Sequence, residues 1–561
     1  LPNIKPKRES WNPVGYLAGR TDMNNASKAG GDPRIMIGPT ANTEQCKANP
    51  RSAAPAFFGI FALTVACFAL LCAPATSWAK STQDLIVEQA AGQDVTLNER
   101  EAAVLRRTLP IIGRRYLHKL DPTPLLKETM EGLKEYDAAV ASMEKAAKKD
   151  TAKGAAAHGE KAQKRRKPSE FRRIALALNK GLNTLDAHSA YLDPESYGEL
   201  KIRISGKFAG LGLEVTMDDG LVKVIAPIDD TPAQRAGMRA GDLISHVDGT
   251  PIKGMTLRAA VGRMRGLVGT TIRLTVLRGE AKEPMEMLIV RDIIRVPAVR
   301  HKVASDYGYI RISAFSQRTE PGLRKAMAKI DDALGAASLG LVIDLRNNPG
   351  GLLRQAIRVS DVFLDEGVIV SVRGRMEEDN ALFRAKGGDL AVGKTVVVLV
   401  NEGTASAAEI VAGALKENHR AVIVGSRSFG KGSVQTIFSM GESGALRLTT
   451  ALYYTPSGRT IQAWGILPDL LIESDRQEAG RREEELQGAL SRGEASPHIV
   501  GPSATITGDR CNELLAKPMD DKNLACAVAL LRAGGLDRLE HLASSLANDG
   551  GKAAHRQQHR Q

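Results

Sequence analysis

Residues 398–415 read VLVNEGTASAAEIVAGAL, and this stretch decides the fold of the largest predicted domain. The apolar run at 398–400 predicts a buried strand, and the small and apolar residues after Ser406 predict a helix that begins there. The first N–H groups of a helix lack intrahelical partners, so the amide of Ala407 could bind an oxyanion that forms on an attacked carbonyl. Ser406 alone could equally be an ordinary helix N-cap.

A second stretch, AVIVGSRSFGKGSVQ at 421–435, places Lys431 between two glycines after a predicted strand. To act as a base at neutral pH, this lysine must lower its pKa from about 10.4 towards 7, which disfavours its charge by about 4.6 kcal/mol. Burial can supply that shift. Gln435, on the next predicted strand, could hold the amine without adding negative charge, or could be an ordinary strand residue.

A third stretch, LVIDLRNNPGG at 341–351, is a predicted buried strand that runs into a glycine turn. The backbone amides of Gly350 and Gly351 could supply a second oxyanion donor. A turn without any catalytic role is the alternative interpretation.

Two other sites compete for Lys431. A phosphate-binding loop would need a hydroxyl residue after the lysine, where this chain has Gly432, and its carboxylate strand should follow the loop instead of preceding it. The spelling Ser428-Phe-Gly-Lys431 matches an SxxK pair, but the flanking glycines oppose the helix that this pair requires. Ser406 has no obvious histidine partner, with His188 and His419 the nearest candidates by context.

The composition is that of a multidomain globular protein. The chain has 561 residues, of which 43% are hydrophobic and 25% charged, which predicts two or three folded domains. The net charge of +13 lies partly in local runs without interleaved aromatic residues, so we expect no nucleic-acid binding. The cysteines and histidines lack the spacing of a zinc site, and we expect no metal and no cofactor.

The segment FFGIFALTVACFALLCA at 57–73 predicts an export signal, because it is apolar, uncharged and preceded by basic residues. It is long enough that a retained membrane anchor stays an open alternative to cleavage after Ala79. Three of the five cysteines lie in or before this segment. The remaining two, Cys511 and Cys526, could pair in an exported protein, which the sequence leaves open.

The rest of the chain divides by pattern. Residues 81–203 are mainly helical, with an Ala/Lys-rich basic insertion at 138–168 that we expect to be a solvated helix or disordered. Residues 204–292 carry short β-type runs between glycines and predict a small β-rich domain. Residues 293–475 alternate strands with helices and predict an α/β domain. Residues 476–561 predict a linker and a helical tail.

These motifs together resemble the carboxyl-terminal processing proteases, or tail-specific proteases. The resemblance runs over about 185–472 and is carried, in order, by LDAHSAYL at 185–192, a PDZ-like region at 208–291, LRNNPGG at 345–351, NEGTASAAEI at 401–410, FGKGSVQ at 429–435 and YYTPSGRTIQAWGILPD at 453–469. It implies a multidomain α+β and α/β protein: a helical segment, a PDZ domain and a peptidase core of the crotonase/ClpP-like type.

The resemblance also implies a serine endopeptidase that acts near the C-terminal tails of exported proteins. Ser406 would be the nucleophile, Lys431 the base and Gln435 its orienting partner. The loop Gly210-Leu211-Gly212-Leu213 would hold the carboxylate and apolar tail of a substrate, as its successive small residues form an anion nest beside a sheet edge. A PDZ scaffold with inert catalytic pieces and a Ser/Lys amidase are the rival hypotheses.

We expect the location to be the periplasm or the periplasmic face of the inner membrane. Protein substrates with apolar C-terminal tails are the expected partners, with an adaptor, membrane association and a homo-oligomer as further possibilities. The insertion at 138–168 and the tail after 475 have no expected counterpart in the family.

Overall fold

The computed structural model describes residues 90, 92–153, 171–279, 283–473, 481–492 and 501–543. The predicted export segment and residues 154–168 of the basic insertion lie outside these ranges. Within them, no helix combines the length and the apolar character needed to cross a bilayer. The chain forms two compact units, one of which contains residues 198–298 and 316–318.

The smaller unit is a β-rich domain, as the sequence predicts for 204–292. Its elements are β2 (Lys207–Gly210), β3 (Leu213–Asp218), β4 (Leu221–Pro227), α5 (Pro232–Arg235), β5 (Leu243–Val247), β6 (Thr250–Pro251), α6 (Leu257–Met264), β7 (Thr271–Arg278), β8 (Glu283–Val290) and β9 (Asp292–Arg295). Strands β3, β4, β5, β7 and β8 are neighbours in that order, with β6 paired to β5, while β2 pairs with β9. Strand β3 is therefore an edge strand, which leaves backbone groups open to an added peptide.

The larger unit begins with helices that were expected to form a separate region. They are α1 (Glu99–Arg115), α2 (Pro122–Lys153) and α3 (Arg172–Leu182), followed by β1 (Ala190–Leu192) and α4 (Pro194–Ser205), which continues into the smaller unit. The first part of the basic insertion, to Lys153, continues α2 as a helix. Leu105, Leu126 and Leu178 share one buried cluster with Leu446 and Leu448 of the region predicted as an α/β domain, so these helices are part of its core.

A seven-stranded sheet forms the centre of the larger unit. Its strands, in spatial order, are β10 (Val299–Val303), β11 (Gly308–Ile312), β12 (Gly340–Asp344), β15 (Thr395–Val400), β16 (Val422–Gly425), β19 (Leu470–Glu473) and β20 (Ala504–Thr507). All neighbouring pairs except β10 and β11 are parallel. Helices α7 (Thr319–Leu334), α8 (Leu353–Asp361) and α9 (Ala407–Glu417) cover one face of this sheet. Helices of the tail cover the other face. Because β12, β15 and β16 are adjacent and parallel, the turns that follow them meet at one edge.

A second sheet of five strands was not expected. It consists of β13 (Val368–Gly374), β14 (Ala381–Arg384), β17 (Ser433–Ser439) and β18 (Ala445–Tyr454) together with β1. The sequence places residues 368–372 in the α/β alternation, but β13 pairs antiparallel with β14 and β18. An apolar run fits a strand of either sheet, so the pattern alone could not assign it.

The tail is more than a linker with helices. Strand β20 extends the central sheet, and α10 (Gly508–Glu513) and α11 (Lys522–Ala533) pack on its other face. Cys511 and Cys526 form a disulfide bond between these two helices. Arg346, just after β12, donates to both Asp344 and Asp521 at 2.7–2.9 Å, so the tail is tied to the turn that leads to Gly350.

Candidate active site

Ser406 lies in a sharp turn between β15 and α9. Its backbone has φ +55° and ψ −116°, a region that a residue with a side chain adopts at a cost of about 1–3 kcal/mol and that often marks a functional site. Two hydrogen bonds fix the residues just before Ser406 to the segment that follows β12. The N–H of Ala405 donates to the carbonyl of Asn348 at 2.9 Å, and the hydroxyl of Thr404 donates to the carbonyl of Leu345 at 2.9 Å. The residue is 9% exposed.

The glycine turn after β12 lies directly against this serine. A Cβ at Gly350 would be 2.8 Å from the Cβ of Ser406 and 2.9 Å from the backbone nitrogen of Ala407, so only glycine fits there. The N–H of Gly350 donates to Oδ1 of Asn348 at 2.9 Å and is therefore occupied in this structure. Among the described residues, the N–H groups of Ala407 and Gly351 have no hydrogen-bond partner. Ala407 and Gly351 therefore stay predicted oxyanion donors, whereas the N–H of Gly350 is engaged.

Lys431 lies in the turn between β16 and β17. Its Nζ forms no hydrogen bond or ion pair with any described residue. Burial lowers the pKa of Lys431 to about 8, and the positive charge of Arg447 acts in the same direction, while Glu483, Asp186 and Glu409 oppose the shift. At pH 7 about one side chain in ten is then neutral, and the neutral form is the one that can act as a general base.

Glu409 connects the serine turn to the lysine turn. This fully buried carboxylate on α9 accepts from the N–H of Ser406 at 2.7 Å and, through the same oxygen, from the N–H of Lys431 at 2.9 Å. Its other oxygen accepts from the N–H of Gly430 and the hydroxyl of Ser428, both at 2.6 Å. Burial raises the pKa of Glu409 to about 7, and the four hydrogen bonds oppose that shift.

Glu409 lies within the motif at 401–410, but no role was predicted for it from the sequence. A glutamate three residues after a serine at a helix start is the pattern of a capping box, and that is the signal that could have drawn attention to it. What the pattern cannot reveal is that the same carboxylate also binds a turn more than twenty residues later.

Gln435 lies on β17, the strand that follows Lys431, as predicted. The expected hydrogen bond from Gln435 to the amine of Lys431 is not formed. Its Nε2 donates to the hydroxyls of Ser433 at 3.0 Å and Thr449 at 3.4 Å instead. Ser433 lies two residues before Gln435 on the same strand, and Thr449 is the residue paired with Gln435 on β18, so the pleat of the sheet turns the amide towards both. Within the described ranges, Gln435 is a neighbour of the lysine turn and not a ligand of its amine.

Neither candidate histidine partners Ser406. Nε2 of His188 lies 2.8 and 2.9 Å from the two carboxylate oxygens of Glu483. His419 lies beyond the far end of α9, one turn of chain after the helix ends at Glu417. No group of three or more His, Cys, Asp or Glu side chains in the described part of the chain is arranged to hold a metal ion.

The loop Gly210-Leu211-Gly212-Leu213 joins β2 to the edge strand β3. All four residues are buried, and the side chains of Leu211 and Leu213 belong to the core of the domain. A Cβ at Gly212, whose φ is +82°, would overlap the side chain of Thr231 at 2.3 Å. The N–H of Gly212 has no partner among the described residues, so the backbone, and not the side chains, could bind a carboxylate here.

Replacing Lys431 by methionine is expected to stabilise the protein. Because folding lowers the pKa of Lys431 to about 8, its ammonium reduces the free energy of unfolding by the full amount below about pH 8. This cost falls as pH rises from about 8 and is gone above the unfolded-state pKa of about 10.4. At pH 7 the gain should approach about 3 kcal/mol. Urea unfolding at pH 7 measures it, with exposed Lys329→Met as the control that should change little. A Lys431→Met protein no more stable than wild type would contradict the assigned burial.

Comparisons with known proteins place the chain. The profile of peptidase family S41 matches residues 306–472, and that of the PDZ domain matches residues 209–289. A carboxy-terminal-processing protease of Bartonella bacilliformis is 48% identical over 372 residues, which cover 65% of this chain and 84% of that protein. This chain belongs to peptidase family S41.

The S41 assignment has further support. A carboxyl-terminal-processing protease of Synechocystis is 35% identical over 305 residues, or 53% of this chain and 70% of that protein. A solved photosystem II D1 C-terminal processing protease is 26% identical and covers 67% of this chain and 93% of that one, with a TM-score of 0.37; that value is too low to add to the sequence matches. The predictions of a serine-type peptidase of the carboxyl-terminal processing family and of a PDZ domain are confirmed.

Proposed function

We propose that this S41 peptidase cleaves polypeptides by a Ser406–Lys431 mechanism near the C-terminal tails of its substrates. The observation that carries this proposal is the joint attachment of both turns to Glu409, since one buried carboxylate binds the backbone N–H of the serine and that of the lysine. A serine with a strained backbone and a desolvated lysine without a partner are thereby held in the same neighbourhood.

The chemistry runs in two halves. Neutral Lys431 accepts the proton of the Ser406 hydroxyl as Oγ attacks the substrate carbonyl carbon, and the resulting oxyanion accepts hydrogen bonds from the N–H groups of Ala407 and Gly351. The lysine ammonium then gives its proton to the leaving amine as the C–N bond breaks, which leaves an acyl-enzyme. Water, deprotonated by the same lysine, attacks the ester and releases the second product with the proton returned to Ser406.

A reagent that reacts only with an activated serine tests the nucleophile. A fluorophosphonate should label the full chain at Ser406 alone, as read by peptide mass spectrometry, and the Ser406→Ala chain should stay unlabelled. Labelling elsewhere, or none, would favour a PDZ scaffold with inert catalytic pieces. Hydrolysis of small amides without cleavage of polypeptides would favour an amidase instead.

The PDZ domain is proposed to bind the tail of the substrate. An extended peptide would add along the open edge of β3, with its terminal carboxylate at the backbone N–H of Gly212. Peptides that end in apolar residues with a free carboxylate should bind at least about tenfold more tightly than the same peptides with an amidated end, because the amide has no charge for the loop to receive. Fluorescence anisotropy measures the difference; equal affinities would exclude carboxylate recognition at this loop.

We also infer that the protein works outside the cytoplasm, in the periplasm or anchored at the inner membrane facing it. The disulfide between Cys511 and Cys526 supports this, since such bonds persist in oxidising compartments. Closing a loop of 15 residues contributes about 3 kcal/mol, so Cys511→Ala/Cys526→Ala should unfold at lower urea concentration than wild type. Reduced thiols at both positions in protein taken from cells would contradict the location. Membrane association, an adaptor and self-assembly stay predictions.

A further inference from the structure

The chain returns to the lysine turn after its last recognised motif. Residues 481–490, here called the strap, follow the matched peptidase region that ends at 472. The N–H of Glu483 donates to the carbonyl of Phe429 at 3.2 Å. Nη1 of Arg482 donates to the carbonyls of Arg427 and Ser428 at 3.0 and 3.1 Å. The strap is thus bound along the residues that precede Lys431.

The carboxylate of Glu483 is also linked, through the side chain of Gln462, to Gly432, the residue that follows Lys431. It is fully buried and accepts from Nε2 of Gln462 at 2.9 Å. The other end of that amide, Oε1 of Gln462, accepts from the N–H of Gly432 at 3.0 Å. A Cβ at Gly432 would lie 2.3 Å from the backbone nitrogen of Gln462, so the two segments are in direct contact. Glu483 therefore holds the chain on both sides of Lys431: its backbone N–H binds Phe429, and its carboxylate is linked through Gln462 to Gly432.

His188 completes the environment of this carboxylate. Its Nε2 contacts both oxygens of Glu483, and the backbone around His188 is fixed by Asp186, which accepts from the N–H groups of His188 and Ser189 at 2.8 Å. With hydrogen bonds from His188 and Gln462, the buried charge is satisfied and fixed in place. A carboxylate that served only to solubilise the strap would not be buried in this way.

Four charged groups face Lys431 from four elements: Arg447 on β18, Glu409 on α9, Asp186 before β1 and Glu483 on the strap. The three carboxylates favour the ammonium form, whereas Arg447 and burial disfavour it. Glu409 is bound to the backbone of the lysine itself, and Glu483 to the residues on either side. Removal of the charge of Glu483 should therefore make the lysine easier to deprotonate without freeing its turn.

We propose that Glu483 is a positioning residue for Lys431: it fixes the lysine turn through Phe429 and, by way of Gln462, through Gly432, and it sets the pH range in which the lysine acts as a base. This inference deepens the proposed Ser–Lys mechanism and rests on it. It assigns a role in catalysis to a segment outside the matched peptidase region, whose docking is needed for the site to be complete.

The pH dependence of the fluorophosphonate reaction tests the proposal, because this reaction needs no knowledge of the natural substrate. Full-length Glu483→Gln keeps the volume and can still accept from Gln462, and its amide group can turn to His188. The rate should rise with pH as Lys431 loses its proton, with the midpoint moved to lower pH by about 0.5 unit and the rate at pH 7 raised about threefold. Glu485→Gln, an exposed charge two residues away, is the matched control and should follow the wild-type curve.

The outcomes separate the two claims. A Glu483→Gln curve that superimposes on wild type would overturn this inference alone, whereas a wild-type chain unlabelled at Ser406 would overturn the proposed function and this inference with it. Glu483→Ala, which removes the carboxylate that anchors Gln462 against the N–H of Gly432, should react at least about 100-fold more slowly at every pH. A full rate in Glu483→Ala would show that Glu483 does not position the lysine. Should that variant fail to fold, the Glu483→Gln curve decides.

Discussion

Replacing Lys431 by alanine is expected to lower kcat for peptide hydrolysis by about 10³-fold, because the side chain proposed to take the proton of Ser406 is removed. The candidate histidine His188 is bound to Glu483 and not to the serine. KM should change little, since the PDZ domain and the backbone donors are untouched. Steady-state cleavage of a protein with an apolar C-terminal tail measures both constants.

Two controls define this result. Lys329→Ala removes an exposed lysine and should leave kcat unchanged, and Lys431→Arg keeps a positive charge that cannot be lost near neutral pH, so it should be as inactive as the alanine variant. Retention of full activity by Lys431→Ala would refute the assignment of the base. Activity in Lys431→Arg would mean that a cation, and not a base, is needed at this position.

Replacing Glu409 by alanine is expected to impair both stability and catalysis. The change leaves three backbone N–H groups and the hydroxyl of Ser428 without their buried acceptor, and such losses cost about 1–3 kcal/mol each without adding fully. We expect the free energy of unfolding to fall by at least about 3 kcal/mol. Because the serine and lysine turns are no longer tied together, kcat should fall by about 10²-fold or more.

Glu409→Gln separates the roles of the carboxylate. One oxygen remains, but an NH2 group must now face a pair of donors, either the N–H groups of Ser406 and Lys431 or the N–H of Gly430 and the hydroxyl of Ser428. Folding should survive better than in the alanine variant, while kcat should still fall with KM unchanged. Exposed Glu366→Ala is the control for loss of a carboxylate. Wild-type kcat in both Glu409 variants would show that the carboxylate does not organise the site.

Much of the site could be predicted, because its parts are short and local. The strand, turn and helix around Ser406 and the glycine-flanked Lys431 follow from residue types within about ten positions. The helix predicted to begin at Ser406 forms as α9, with Ser406 at its N-cap. Sequence patterns of this kind report the backbone directly, and adjacent parallel strands then bring their turns to one edge.

The rest depends on contacts between distant segments. Nothing local shows that the N–H of Gly350 is taken by Asn348, that the amide of Gln435 turns to Ser433, or that the strap docks on the lysine turn. Only a linker and helices were predicted for the tail, because strand β20 has four residues, which are too few to show a clear strand periodicity. Such partners are set by packing, which a single sequence does not display.

The most direct test of the central claim is the pKa of Lys431 itself, measured by NMR titration of isotope-labelled lysine in the full Ser406→Ala chain and assigned with Lys431→Met. Burial and Arg447 lead us to expect a midpoint of about 8. A midpoint at the ordinary lysine value of about 10.4 would contradict the account, because the residue would then be a solvated cation unable to deprotonate the serine.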